Sequence, residues 1–444
     1  MAGRQKCRYN ITAERGVLRF YEPRFSTTNH LALCRSATTL HVMPSVILKV
    51  GKERRLKAGH CWVYAGEIAR ITGEPAAGDQ VDIRDHKDRF LGRGLLNTRS
   101  QITVRRFTTQ KEELDKEFFR RRIEAAWRFR ASLALPAMLN STPTAPSTQR
   151  LVFSESDLLP GLILDQYGDY LVLQALTLGI DQRKSWIIEI VQELFQPKAI
   201  IERSDVPSRG LEGLKEAKGI LSGDSDGCVT VRVGAPPMIE FEVNLLEDQK
   251  TGFFLDQRLN YGEVGALCGG KDVLDCFAYH GGFALAAAVA GAESVEAVEI
   301  SEQCIARARK NTELNGLTGK IEFVCANAFD VLKKYDSEKR QFDVIVLDPP
   351  SFTRTKQNVN DALRGYKEIN LRALKMLPAG GVLATFTCSH HISAELFKAV
   401  IVDAAADAKK TVRLMKVLSQ SPDHPILPAV PETEYLRGLL LQVM

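Results

Sequence analysis

Four short stretches in the second half of the chain carry groups that could bind a ligand and act on it: Gly281-Gly282, Glu299, Asn327-Ala328 and Asp348. Asp348 follows Val344-Ile345-Val346-Leu347, four apolar residues without alternation. Such a run reads as a strand buried on both faces, as in a parallel sheet. Pro349 and Pro350 cannot extend a hydrogen-bonded ladder, and Pro349 pushes Asp348 toward extended geometry. The result is a stiff turn presenting one carboxylate and the Phe352 ring above the sheet edge, where ligands of open α/β sheets bind. Gly281 and Gly282 follow an earlier strand, and a glycine turn there lets a ligand approach backbone N–H groups closely. Glu299 ends the next strand. It lies near the ~20 residues beyond the glycines expected of a nucleoside-binding βαβ unit, and its carboxylate can hold both hydroxyls of a ribose. The turn is not Gly-x-Gly-x-x-Gly, which disfavours a dinucleotide.

These groups need a scaffold that brings successive strand ends to one edge. Residues 271–275, 294–300, 321–324, 344–347 and 382–386 read as strands. Helices are expected from the Ala-rich segment after Gly282, over 302–314 before the stop signal Asn315-Gly316, and over 365–377. This alternation predicts an α/β domain over 233–444 built on a doubly wound parallel sheet. A central α+β domain is expected over 118–232. It holds a hairpin (162–165 with 170–174), a helix over 182–195 and a strand over 199–202. No catalytic constellation stands out in it, and spacing or substrate contact is its expected role. Residues 44–117 read as a small β-domain. It has strands near 46–50, 80–83 and 101–104, and turns at 74–79 and Arg93-Gly94. A helix is expected from 112 to 133. Phe118, Phe119, Ile123, Ala126, Trp127 and Phe129 form the expected apolar stripe of that helix, and Arg130 falls among its polar residues. Residues 140–148 are an expected loop. Residues 1–43 show no sustained period and are expected to be a poorly ordered extension, with Met43 a second candidate for the start of the functional chain.

The 444 residues carry 59 Lys and Arg against 54 Asp and Glu, a net charge of +5. The balance is uneven. Residues 44–130 hold 20 Lys and Arg and 12 Asp and Glu. A basic front on an acidic body suggests a polyanion-binding module joined to something else. No apolar run approaches the length of a membrane span, and the first residues lack the apolar core of a secretory signal. Nine scattered cysteines, an odd number without a Cys-x-x-Cys pair, argue against a disulfide framework and a zinc site, and fit the cytoplasm.

The segment 59–68, Gly-His-Cys-Trp-Val-Tyr-Ala-Gly-Glu-Ile, resembles the start of a PUA domain, a small pseudo-barrel that binds RNA. The last ~200 residues resemble class I S-adenosylmethionine-dependent methyltransferases of Rossmann-like fold. More narrowly, the chain is similar to the bacterial large-subunit (23S) ribosomal RNA cytosine-C5 methyltransferases that carry an N-terminal PUA domain. The matching stretches are Gln-Lys-Thr-Gly-Phe-Phe-Leu-Asp-Gln-Arg at 249–258, Leu-Asp-Pro-Pro-Ser-Phe at 347–352, Arg-Gly-Tyr-Lys-Glu-Ile-Asn at 364–370, Thr-Cys-Ser at 387–389 and Asp-His-Pro at 423–425. Residues 1–43 have no counterpart.

The resemblance implies S-adenosylmethionine as cofactor. It implies binding by Asp256, Arg258, Asp275, Phe277, Gly281, Gly282, Glu299, Asn327, Ala328 and Asp348. Asn327 departs from the family, which commonly has Asp there. An amide can still meet the adenine, so a modest change in cofactor affinity is expected. The resemblance further implies Cys388 and Asp348 as catalytic residues. A thiolate adding at cytosine C6 makes C5 electron-rich enough to take a methyl group. Asp348 would hydrogen-bond the base edge, and no residue is assigned as the base for the C5 proton. From position alone, Cys388 also fits a small buried core residue. His390 and His391 read better as satisfied histidines than as site residues. His424 would line the substrate opening. Ribosomal RNA is the implied partner, without membrane or metal, and a homodimer stays open. Two other readings stand beside this one: a guanine methyltransferase of ribosomal RNA, which needs no thiol, and a non-catalytic RNA-binding assembly factor.

Overall fold

In the computed structural model, residues 43–133, 148–234, 238–353 and 355–444 are described. The expected extension (1–43) lies outside them except for Met43. The expected loop at 140–148 also lies outside, except for Thr148, which opens a strand.

The basic front is a six-stranded sheet. Its strands are β1 (Ser45–Leu48), β2 (Trp62–Val63), β3 (Ile68–Thr72), β4 (Gln80–Arg84), β5 (Phe90–Leu96) and β6 (Val104–Thr108), in the order β2-β6-β5-β4-β1-β3. Two sequence expectations fail here for local reasons. Arg93 and Gly94 lie inside β5, not in a turn. A Cβ on Gly94 would stand 2.2 Å from the Arg105 carbonyl oxygen, so glycine is what lets β6 approach. The reversal comes earlier, where Asp85 Oδ1 accepts the Lys87 and Arg89 N–H groups. Residues 101–103 precede β6 in a turn, held by Ile102 N–H on the Ser100 hydroxyl and Thr103 Oγ1 on the Ser100 carbonyl.

Helix α1 (Lys116–Ser132) begins later than expected, because Asp115 caps it by accepting the Phe118 N–H at 2.8 Å. Phe118, Phe119, Ile123 and Ala126 are buried as expected. Trp127 (41% exposed) and Phe129 (40%) are not, although Trp127 packs edge-on against Phe195. Arg130 is buried on the packed side instead. The central sheet has strands β7 (Thr148–Phe153), β8 (Leu162–Tyr167), β9 (Tyr170–Ala175), β10 (Ala199–Ser204) and β11 (Ala217–Gly223), in the order β11-β10-β9-β8-β7. Helix α2 (Lys184–Phe195) makes the crossover between the parallel strands β9 and β10, and packs with α1 over one apolar face.

A hairpin follows, β12 (Cys228–Val233) with β13 (Ile239–Asn244). The expected boundary at 232/233 falls inside it. Then come α3 (Arg258–Gly265), β14 (Asp272–Cys276), α4 (Gly282–Val289), β15 (Ser294–Glu299), α5 (Glu302–Leu314), β16 (Ile321–Cys325), α6 (Ala328–Ser337), β17 (Val344–Leu347), α7 (Val359–Met376), β18 (Val382–Thr387), α8 (Ala394–Asp407), β19 (Val412–Ser419) and β20 (Arg437–Val443). The sheet order is β16-β15-β14-β17-β18-β20-β19, parallel through β18 and antiparallel at β20 and β19. Both faces are covered. Val344 and Val346 pack toward α3, α4 and the hairpin, while Ile345 and Leu347 pack toward α6, α7 and α8. This is why the β17 sequence does not alternate. Helix α7 starts before the expected 365. Among the described residues, no helix is long and apolar enough to cross a membrane.

Buried ions lock the central sheet to the C-terminal part. Arg130 donates to both Asp157 oxygens, to the Arg150 carbonyl at 3.0 Å and to the Asp423 carbonyl at 2.9 Å. The Asp423 carboxylate accepts the Arg150 N–H at 2.9 Å, and Arg150 grips Asp165 with two bonds of 2.7 and 2.8 Å. Removing one member of such a set leaves an uncompensated buried charge. Arg130→Ala should therefore lower unfolding stability by about 3–5 kcal/mol. Urea unfolding of the two proteins measures this, and a loss within ~0.5 kcal/mol, typical of surface substitutions, would show the pair to be solvated.

Candidate active site

The carboxyl ends of β14 to β18 surround a cavity of about 620 Å³. Its floor is the turn after β14, where Phe277 (φ 67°) and Tyr279 (φ 49°) both take left-handed backbone conformations that side chains disfavour. Gly281 (φ 84°) then leads into α4. Gly282 is needed for a different reason: a Cβ there would stand 2.5 Å from the Tyr261 ring. The turn is held from both sides. Glu299 Oε2 accepts the Tyr279 N–H at 2.9 Å, and the Tyr279 hydroxyl accepts the Gln249 N–H at 3.1 Å.

Of the expected site residues, Asp256, Phe277, Gly282, Glu299, Asn327, Ala328, Asp348 and Cys388 line this cavity. Asn327 also caps α6, accepting the Phe329 N–H at 2.9 Å. Three others do not reach it. Asp275 is buried beneath the turn and accepts the Ala284 N–H at 3.0 Å, so it braces the start of α4. Burial holds its carboxyl well above the usual range. Arg258 is engaged elsewhere, by the Thr148 carbonyl at 3.1 Å and the Asp423 carboxylate at 3.4 Å. Gly281 shapes the turn from outside the cavity wall. His424, expected at the opening, is buried against Phe153 and bonded to Asp423 at 3.1 Å.

The structure adds residues that the sequence did not single out. Lys250 pairs with Asp256 at 2.6 Å, and the Tyr435 hydroxyl donates to the same Asp256 oxygen at 2.7 Å. Gln257 donates to Asp348 at 3.0 Å and is itself held by Asn260. Lys250 and Gln257 lie in the 249–258 stretch, where the signal was present. Tyr435 stands alone near the end of the chain and had none. The other oxygen of Asp256 is buried and has no hydrogen-bond partner among the described residues.

The charges are unequal. Burial would raise the Asp256 pKa, but the Lys250 ammonium, His424 and the Tyr435 bond outweigh it and hold the carboxylate ionised. Asp348 keeps partial exposure to the cavity, yet burial and then the Asp256 charge push its pKa up to about 7, against the opposing pull of Gln257 and Lys250. Cys388 sits on the turn after β18, its thiol 3.8 Å from the Pro349 carbonyl. Burial and then Asp348 push the thiol up to about 11, while Lys250 favours the thiolate. Aromatic walls, a carboxylate at the end of β15, a titratable carboxyl and a thiol thus meet in one cavity. The set can seat a nucleoside and place a nucleophile against a planar base.

Two measurements follow from these charges. Alkylation of Cys388 by iodoacetamide should be slow at pH 7 and rise toward about pH 11. Asp348→Asn should lower the midpoint, because it removes a charge that opposes the thiolate. Asp348 also binds its proton more tightly folded than unfolded, so its ionisation costs stability as the pH rises from about 4 to about 7. The melting temperature of Asp348→Asn should gain on that of the unsubstituted protein across this window. A constant difference between the two would show that Asp348 titrates normally.

Comparison with known proteins gives the same outline. Residues 46–109 match the PUA-like domain family, and residues 224–441 match the S-adenosylmethionine-dependent methyltransferase family. Ribosomal RNA large subunit methyltransferase I of Shewanella denitrificans is 42% identical over 405 residues, 89% of this chain and 98% of that one. The protein of the same name from Klebsiella pneumoniae (strain 342) is 39% identical over 409 residues, 91% of this chain and 99% of that one. A Streptococcus mutans structure described as a SAM-dependent methyltransferase superposes with a TM-score of 0.75 at 20% identity, over 90% of this chain and all of that one. A second solved structure, described as a methyltransferase complexed with SAH, gives 0.76 at 20% identity with the same coverage. These two likenesses show the fold. With near-complete coverage at about 40% identity, the chain belongs to the ribosomal RNA large subunit methyltransferase I family.

Proposed function

We propose that this protein methylates C5 of a cytosine in large-subunit ribosomal RNA, using S-adenosylmethionine and a transient bond between Cys388 and C6 of the base. The observation that carries this reading is the meeting of Cys388 and Asp348 in one cavity, on adjacent turns linked at 3.8 Å. A guanine methyltransferase has no use for a thiol there, and an assembly factor has no use for the cavity.

The cavity fits the cofactor. Glu299 would take the ribose hydroxyls, Asn327 and Ala328 the adenine, and Asp256 the ammonium group. When bound, S-adenosylmethionine supplies an electrophilic methyl group to the activated C5. Everything else falls to the chain. Asp348 titrates near neutrality, so its protonated form can donate to N3 of cytosine while Cys388 adds at C6. A protonated Asp348 also ceases to oppose the thiolate, and Lys250 supports it. The C5 proton then passes to solvent, its C–H electron pair re-forms the C5–C6 double bond, and the Cys388 sulfur leaves as a thiolate. The base must be unstacked to reach this depth. The PUA-like front would contribute phosphate contacts, which position RNA without reading its sequence.

Cys388→Ala should abolish methylation. RNA with 5-fluorocytosine at the target has no C5 proton to lose, so the unsubstituted protein should form an adduct that survives denaturing electrophoresis, and Cys388→Ala should form none. Asp348→Asn should slow methylation by the equivalent of about 0.5–1.5 kcal/mol, the worth of one neutral hydrogen bond. Retained 5-methylcytosine formation in Cys388→Ala, or a methylated guanine as product, would overturn the reading. In the same assays, Glu299→Ala should bind S-adenosylmethionine far more weakly in calorimetric titration while folding normally. Unchanged affinity would remove Glu299 from the cofactor site.

A further inference from the structure

The turns that carry Asp348 and Cys388 are fastened together by a line of buried hydroxyl groups, and its centre lies on a third element. Tyr366 projects from α7 with no solvent exposure. Its hydroxyl accepts from Thr387 Oγ1 at 2.8 Å and meets Ser389 Oγ at 2.9 Å. Ser389 Oγ accepts the Phe352 N–H at 3.1 Å and meets Ser351 Oγ, also at 3.1 Å. Ser351 ends the line by donating to the Thr353 carbonyl at 2.8 Å. Only one direction gives every hydroxyl a use for its single proton: Thr387 to Tyr366, Tyr366 to Ser389, Ser389 to Ser351, Ser351 to the carbonyl. Burial pushes the Tyr366 hydroxyl up to about 12, so it keeps its proton at neutral pH.

Position gives this line its meaning. Thr387 and Ser389 flank Cys388, and both are fully buried. Ser351 and Phe352 belong to the turn of Asp348. The two turns are otherwise joined at the site by the long thiol contact to Pro349. The Tyr366 ring is independently seated, 4.5 Å from Phe352 and edge-on to Phe397. Its hydroxyl is therefore not needed to place the ring.

We infer that Tyr366 is a positioning residue for the proposed methyl transfer: through Ser389 and Ser351, its hydroxyl fixes Cys388 against Asp348 so that thiol and carboxyl engage one base together. The inference rests on the cytosine reading given above. It differs from a packing role because Tyr366→Phe keeps the ring and removes only the link. Misplacement by about 1 Å can cost on the order of 100-fold in rate. Iodoacetamide needs no aligned carboxyl, and loosening Cys388 from the Asp348 charge can only favour the thiolate, so a fall in methylation without a fall in alkylation separates alignment from thiol reactivity.

The experiment compares the full-length protein with Tyr366→Phe, Ser389→Ala and the double variant. Single-turnover methylation of an unmodified large-subunit ribosomal RNA transcript and iodoacetamide alkylation of Cys388 are both followed. Tyr366→Phe should methylate roughly 10- to 100-fold more slowly, with alkylation no slower than that of the unsubstituted protein and S-adenosylmethionine affinity within about twofold of it. The double variant should lose no more than the worse single variant, as expected for members of one network. Should Tyr366→Phe fail to fold, Ser389→Ala must show the same split. Wild-type methylation by Tyr366→Phe, an equal fall in alkylation, or additive losses would overturn the inference. Mass spectrometry of the product from the unsubstituted protein keeps the two levels apart. If that product is 5-methylcytosine and the split is absent, only the role of Tyr366 falls; if it is another nucleoside, the cytosine reading falls and this inference with it.

Discussion

The register of three parallel strands is the constraint on which the site depends. Cys276 of β14 lies beside Leu347 of β17, and Leu347 lies beside Thr385 of β18. All three strands then end within a few residues, and Phe277, Asp348 and Cys388 meet although more than a hundred residues separate the first from the last. A slip of one residue would turn every side chain of β17 to the opposite face. The slip is prevented by burial on both sides, with Val344 and Val346 in one core and Ile345 and Leu347 in the other.

Within that frame, two carboxyl groups are kept in different states by their neighbours. Lys250 and Tyr435 hold Asp256 as an ion. Asp348 has, among the described residues, the neutral donor Gln257, and shares the cavity with the Asp256 charge. One group is thus suited to hold a fixed negative charge and the other to exchange a proton near neutral pH. The central sheet contributes to this division. Asp165, gripped by Arg150, accepts the Thr251 hydroxyl at 2.6 Å, and Thr251 follows Lys250 directly. The central part therefore does more than act as a spacer: it anchors the loop that supplies the site's cation.

Much of the C-terminal architecture was legible because its signals are local. The α5 limits follow from the Ser301 cap and the Asn315-Gly316 stop. The apolar run of β17 announces its burial, and Glu299 and Asp348 announce themselves as acidic ends of strands. What failed to show has no local signature. The guanidinium of Arg258 sits within a site motif, yet partners distant in sequence, Thr148 and Asp423, claim it. Arg130 looks like one more charge on a basic helix until Asp157 and Asp423 are seen around it. Gly94 resembles turn punctuation, and only the nearness of the neighbouring strand explains it. Tyr435 reaches Asp256 across 179 positions of chain.

The Arg130 knot also bears on how the chain is made. Its acceptor at Asp423 lies 293 residues downstream, and the Arg150 N–H waits for the same residue. At ~5–20 residues per second, synthesis takes about 15–60 s to cover that gap. Through that interval the nascent central sheet holds Arg130 with its carboxylate partner Asp157 but without its last acceptor. The segment that completes the lock is translated long after the helix that carries Arg130. Maturation of the front half is thereby tied to completion of the back half, and a chain cut short before Asp423 retains a half-satisfied guanidinium instead of an independently finished module.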